Sequence, residues 1–207
     1  MLDVSKKQLR FEFDDDNMDM SVTETLTISN MGNANAKFQW IVPHSGSFIP
    51  EPMRDEVAAG QHKQVKVTFK PSGQKSEDEL LILKIEDGKQ VEVKCIGIVN
   101  EAKCTFAEKM VEFGSIPVGL PAKNQMFHIK NHYRAQAIFH VENPYEELSV
   151  FPMQGKIGGE SKLMFTVGFK SDLETDFNAE IIVHIRGGKP MRIPVHALAR
   201  IPELFIE

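Results

Sequence analysis

The side chains in this 207-residue chain that could do chemistry are seven histidines, two cysteines and one tight group of aspartates. His128 and His132 have the i, i+4 spacing that brings two imidazoles together on a helix for zinc. They sit in or beside "QMFHIKN", which alternates apolar and polar like a strand. Four residues of strand span about 13 Å, too far for two ligands to share one metal. His140 and His184 fall on other predicted strands. Cys95 and Cys104 form no Cys-x-x-Cys unit and have no histidine at nucleophile–base spacing. Cys95 has the parity of the apolar residues around it and reads as a small core residue. Asp14, Asp15, Asp16 and Asp19 invite calcium, but the run lacks the central glycine and distal glutamate of an EF-hand loop and reads as a solvated turn. "FGSIPVG" (113–119) offers two glycines, as a phosphate-cradling loop would. Such a loop must open a helix, whose free N–H groups hold the anion. Here a strand-like run comes next, and the Gly-Lys-Ser/Thr ending is missing. Gly114 and Gly119 are therefore expected at turn positions between the first two strands of a β unit, with Pro117 and Pro121 limiting edge pairing, and Asn30 and Asn131 are expected at turn positions as well. The expectation is a non-enzyme without metal or cofactor.

The elements that would position these residues are written twice. "LTISNMGNANAKFQWIVP" (26–43) aligns with "FHIKNHYRAQAIFHVENP" (127–144). Ile28, Asn30, Ala36, Phe38 and Pro43 meet Ile129, Asn131, Ala137, Phe139 and Pro144. "FIPEP" (48–52) lies next over "VFPMQ" (150–154), then "GQHKQVKVTFKP" (60–71) over "GESKLMFTVGFKS" (159–171). The last pair is "LILKIEDGKQVEVKCIG" over "IIVHIRGGKPMRIPVHA". The order and the shift of about 100 residues are constant, which marks a tandem duplication. Val65, Val67 and Phe69 alternate with polar residues, as do Leu163, Phe165, Val167 and Phe169, the period of half-buried strands. "EDGKQ" and "RGGKP" each separate two alternating runs and predict hairpins. A helix could compete only around 51–59. Short strands joined by turns, about 100 residues per unit, predict an all-β chain of two tandem immunoglobulin-like sandwiches. The expected boundaries are 1–101 and 102–201. Residues 202–207 would begin a further repeat, because "LFIE" lies over "CTFA" (104–107), and the chain then reads as two modules of a longer array.

Bulk properties narrow the setting. Hydrophobic residues at 42% and charged residues at 26% describe a globular chain. The first 100 residues hold 12 Lys/Arg against 16 Asp/Glu and the remainder 12 against 13, so neither half has the basic excess that nucleic acid requires. No apolar run reaches the roughly 18 residues of a membrane helix. Two cysteines and no Asn-x-Ser/Thr sequon favour a reducing, cytoplasmic compartment.

"FGSIPVG", a strand ending in Asn131 and "VFPMQGKIGGESKLMFTVGFK" resemble the ASH domains of hydin and related ciliary and centrosomal proteins. That family's pattern is Phe-Gly-x-Val-x-x-Gly, a strand ending in Asn, then Pro-x-x-Gly-x-Ile-x-Pro-Gly. Phe113, Gly114, Ile116 and Gly119 match the first element, Asn131 the second, and Pro152, Gly155, Ile157 and Gly159 most of the third. In the first copy Asn30, Gly32, Pro50, Gly60, Phe69 and Pro71 fit, while "FEFDDDNMDM" replaces the Phe-Gly turn. The resemblance covers almost the whole chain and extends to the major sperm protein superfamily. It implies interaction modules carried in long arrays on axonemal microtubules, with other axonemal proteins, tubulin and neighbouring repeats as partners, and a place in the cilium or flagellum. It brings no catalytic residues.

Any site should then be a surface. Lys63, Lys66 and Lys70 are expected to place positive charge on the solvent side of one strand. In sperm-protein-like adaptors basic residues receive acidic peptides, which by analogy makes these three the candidate partner surface. Three further readings compete with a ciliary scaffold: a peptide-capturing adaptor, a pilus-type chaperone and an enzyme. The short connection "VNEAKC" implies a tandem with little slack.

Overall fold

The computed structural model describes residues 1–202 apart from 15, 43–45, 72–75 and 101. Asp15, Pro43 and the closing 203–207 stretch lie outside the described residues. The chain divides into two compact units, Met1–Asn100 and Glu101–Glu207. All regular structure among the described residues is strand, and the 51–59 stretch that could have favoured a helix contains a short strand instead.

The first unit has strands β1 (Leu2–Val4), β2 (Gln8–Phe11), β3 (Val22–Asn30), β4 (Ala36–Ile41), β5 (Phe48–Glu51), β6 (Arg54–Val57), β7 (His62–Phe69), β8 (Glu77–Ile85) and β9 (Val91–Gly97). The second repeats them as β10 (Cys104–Phe106), β11 (Val111–Pro117), β12 (Gln125–Asn131), β13 (Ala137–Glu142), β14 (Leu148–Phe151), β15 (Gln154–Ile157), β16 (Lys162–Phe169), β17 (Thr175–Ile185) and β18 (Met191–Arg200). Each unit packs a four-stranded sheet (β1-β3-β7-β5; β10-β12-β16-β14) against a five-stranded one (β2-β9-β8-β4-β6; β11-β18-β17-β13-β15). Each is an immunoglobulin-like sandwich.

The opening segment of each unit serves both sheets. β1 pairs antiparallel with β3, and after a three-residue break β2 crosses over to pair parallel with β9. β10 and β11 do the same with β12 and β18. The alternating runs become the inner faces, because a period of two sends every second side chain to the same side. Leu26, Ile28, Val65, Val67, Leu81, Leu83 and Val93 fill the first core, where Phe48 and Phe69 stack with ring centroids 4.7 Å apart. In the second core Phe127 stacks on Phe165 at 4.8 Å, and the ring of Phe139 meets Phe165 edge-on at 5.0 Å. Each such buried ring contributes roughly 1.5–3 kcal/mol by leaving water. The two hairpin signals close as read: Asp87 takes φ 54° between β8 and β9, and Gly187 takes φ 72° between β17 and β18.

Candidate interaction surface

The residues shared by the two copies form the frame of each sandwich. Asn30 and Asn131, expected at turns, are the buried last residues of β3 and β12. The Asn131 amide donates to the carbonyls of Ala135 (2.8 Å), Gly158 (3.2 Å) and Ile157 (3.4 Å), and its Oδ1 accepts from the Tyr133 N–H at 3.0 Å. Asn30 repeats three of these four bonds, its amide donating to the carbonyls of Ala34 (2.8 Å) and Val57 (3.0 Å) and its Oδ1 accepting from the Gly32 N–H (2.9 Å). Val57 and Ile157 end strands of the opposite sheet, so each asparagine clips the two sheets together at one end of its sandwich. A side chain carrying both a donor and an acceptor is required, because the partners are backbone groups of both kinds.

Gly114 is not in a turn. It lies inside β11 at φ 69°, where the register with β18 shifts between Glu112 and Ser115. It is the left-handed residue of a bulge on an edge strand, a place that favours glycine. Gly119 does sit in the turn after β11, at φ 80°. The next element is β12 rather than a helix, so no helix N-terminus faces these glycines.

The three lysines do not share one face. Lys63 has the parity of Val65 and Val67, so it projects from the inward side of β7 at the end of the core. There its ammonium is ion-paired with Asp55 of β6, and this pairing holds the Asp55 carboxyl below its ordinary pKa. Lys66 does point outward, opposite Thr25 on β3 and Glu51 on β5. Lys70 lies just past the strand, exposed, its N–H donating to the Ser47 carbonyl. The expectation of a single lysine stripe is therefore corrected: alternation alone puts residues 63 and 66 on opposite sides.

The cysteines are poor nucleophiles. Burial, with the Glu79 charge adding to it, pushes the Cys95 thiol up to about 12, and burial alone pushes Cys104 up to about 11. Both stay protonated near neutral pH, and the thiolate is the reactive form. Among the described residues no cluster of three His, Cys, Asp or Glu side chains is arranged to hold a metal. His128 instead donates its backbone N–H (2.6 Å) to Glu108, whose other oxygen meets the imidazole Nδ1 at 2.8 Å. Burial opposes the Glu108 charge, but these bonds outweigh it and keep the carboxyl below its usual range. The His184 ring meets Glu142 at 2.7 Å and lowers that carboxyl too. His196 on β18 is held on both sides, by Glu112 of β11 at 2.9 Å and Asp176 of β17 at 3.0 Å. The Glu112 bond first and the Asp176 bond second raise its pKa above the ordinary imidazole value.

The sequence reading missed the outer face of the second unit's four-stranded sheet. Its outward positions carry Met126 and His128 on β12, Met164 and Thr166 on β16, and Phe151 on β14. Met126 is 54% exposed, Met164 49% and Phe151 74%. The signal was present in the alternation: within "QMFHIKN" the parity that buries Phe127 and Ile129 sends Met126 to solvent. An apolar residue at a polar position passes unnoticed when only charge is sought.

The frame with its clips and bulge has known relatives. Residues 9–97, nearly all of the first unit, match the model of the HYDIN/CFA65/VesB-like Ig-like domain. The human cilia- and flagella-associated protein 47 is 24% identical over 185 residues, a length that takes in both units. The first unit is thus similar to a hydin-like immunoglobulin-like domain, and the second repeats its frame. The match covers 87% of this chain but only 6% of that relative's length. Two solved structures are each similar to about half of this chain. The ASH/PapD-like domain of human CEP192 is 12% identical and covers 49% of this chain and 87% of its own, with a TM-score of 0.45. WR4, a C. elegans MSP family member, is also 12% identical and covers 47% of this chain and 97% of its own, with a TM-score of 0.37. No helix among the described residues is long and apolar enough to cross a membrane.

Proposed function

We propose that this chain is a non-enzymatic interaction unit of a cilium- or flagellum-associated protein, in which hydin-like modules scaffold neighbouring axonemal proteins or the microtubule itself. The observation that carries the reading is the alignment of both modules with a human protein named for cilia and flagella. The chemistry agrees with it: the thiols are protonated, His128, His184 and His196 are engaged by carboxylates, and Met126, Met164 and Phe151 stand exposed on a sheet face. Extended sandwich faces suit contacts with other proteins better than a reaction, which needs polar groups converging in a pocket.

The test is to add the tagged chain to detergent-extracted axonemes and to purified taxol-stabilised microtubules over a salt series. Retention on axonemes supports the reading, and its absence overturns it. Pelleting with microtubules at low salt assigns tubulin as a direct partner, with Lys66 and Lys70 the first charges to neutralise. Axoneme retention without pelleting assigns the contact to a neighbouring protein.

A further inference from the structure

The two modules share a framework, so each is a control for the other's surface. On the four-stranded sheet of the first module, Thr25, Lys66 and Glu51 lie side by side across β3, β7 and β5. The matching row of the second module is Met126, Thr166 and Phe151, because the strand pairing sets 48–51 over 148–151 and not, as the sequence alignment has it, over 150–153. One step along, Thr27 and Gln64 are matched by His128 and Met164. At the far end Ser29 and His62 are matched by Lys130 and Lys162, directly opposite each other on neighbouring strands.

Both substitutions are unfavourable for an isolated module. Three large apolar side chains at 49–74% exposure leave apolar area in water at positions where the first module has Thr, Gln and Glu, a larger patch than its lone Ile49 on the same face. Two lysines facing each other across a strand pair repel. Both are exposed, and no carboxylate among the described residues lies within ion-pair distance of either. Methionine is also the side chain that adapts most readily to a partner's shape.

We propose that this face of the second module, from Lys130 and Lys162 to Met126, Met164 and Phe151, docks an extended segment of a partner protein that carries carboxylates beside bulky apolar side chains. The inference rests on the interaction-unit reading above. Its charge comes from the lysine pair, which an acidic residue would relieve. Its spacing comes from the strands: the lysines stand four residues from the Met126 row, about 13 Å, so the acidic and apolar residues should be four apart in an extended chain. An anionic membrane fits less well, because the Glu108 carboxylate sits on the same face beside His128 and Thr166 interrupts the apolar row.

The test uses the full chain labelled with 13C at the methionine methyls. The probe is a synthetic peptide with Glu at positions 1 and 2, Phe at 5 and 7, and Thr elsewhere. One control peptide replaces Glu by Lys and the other replaces Phe by Thr. Two variants change residues that face solvent, so folding is retained: M126T/F151Q/M164Q removes the apolar patch with first-module residues at 126 and 164 and the neutral Gln in place of Glu at 151, and K130S/K162H removes the charge. The expected result is that the acidic peptide shifts the Met126 and Met164 methyls. Each control peptide and each variant should then bind at least about tenfold more weakly. Equal binding of the basic peptide, insensitivity to both variants, or no binding at millimolar peptide overturns the proposal. So does a concentration-dependent dimer lost in M126T/F151Q/M164Q, which would assign the face to a second copy of the chain. Flotation with phosphatidylserine vesicles that both variants abolish would assign it to lipid and also overturn the proposal. The assay contains no axoneme, so a chain retained on axonemes but indifferent to the peptide loses this inference and keeps the scaffold reading.

Discussion

Single residues carry two separate jobs in these modules, holding the frame and tuning its edge. Asn131 holds the frame. Replacing it by Ala strands the carbonyls of Ala135, Ile157 and Gly158 and the Tyr133 N–H in a region the side chain had sealed. The expected cost is about 1–3 kcal/mol, read as an earlier urea midpoint for the second module. N131D should be no better, since it replaces the donor with a second acceptor. His196 tunes the edge, tying the bulged β11 to β18 and β17. Its folded-state pKa is raised, so the clamp contributes fully below the unfolded value of about 6.5 and fades as pH rises through the folded value. Thermal melts should show the wild type losing more stability than H196Q between about pH 6 and 9. Parallel pH profiles would remove His196 from the account.

At the scale of elements, alternation determines which face of a strand is buried, and close approach determines where a side chain is forbidden. Gly97 on β9 shows the second effect. A Cβ there would lie 2.3–2.6 Å from the ring of Phe69 on the facing sheet. G97A should destabilise the first module by about 1–3 kcal/mol through overpacking. Trimming the ring in F69L should partly rescue it, with a coupling of at least about 0.5 kcal/mol in a double-mutant cycle. Trp40, buried in the first core, is the chain's single tryptophan, and its fluorescence isolates that module's transition. Gly114 differs in kind. Nothing lies within 4 Å of its Cβ position, so G114A costs only the left-handed backbone, about 1–2 kcal/mol, and trimming neighbours should not rescue it. The strands themselves were legible because one apolar face per strand writes a period of two. The bulge was not, since a glycine in a left-handed turn and a glycine in a left-handed bulge have the same sequence signature.

At the scale of the whole molecule, each unit has its own core of buried apolar residues. Residues 1–100 and 101–207, expressed separately, should each show a β-sheet circular dichroism spectrum and a cooperative urea transition. A half that stays unfolded alone would mean that its core needs the other module. The duplication has also let the two surfaces diverge on one frame. The second module holds His–carboxylate pairs at His128, His184 and His196 and an apolar outer face, where the first carries Thr, Gln and Glu. A duplicated frame gains a different surface this way without a new fold, because outward positions are free of packing constraints.

The sequence by itself determined the all-β class, the duplication and the inward residues of most strands. Those depend on period and composition, which are local properties. The tertiary structure decided what depends on residues far apart in the chain. It made Asn30 and Asn131, whose Oδ1 atoms open the turns after their strands, into buried clips as well, by bringing the ends of β6 and β15 against them. It turned Lys63 away from Lys66 and onto Asp55, and it lined up Met126, Thr166 and Phe151 from three strands into one exposed row. Pairing across strands sets such neighbours, and register cannot be read from any one strand alone.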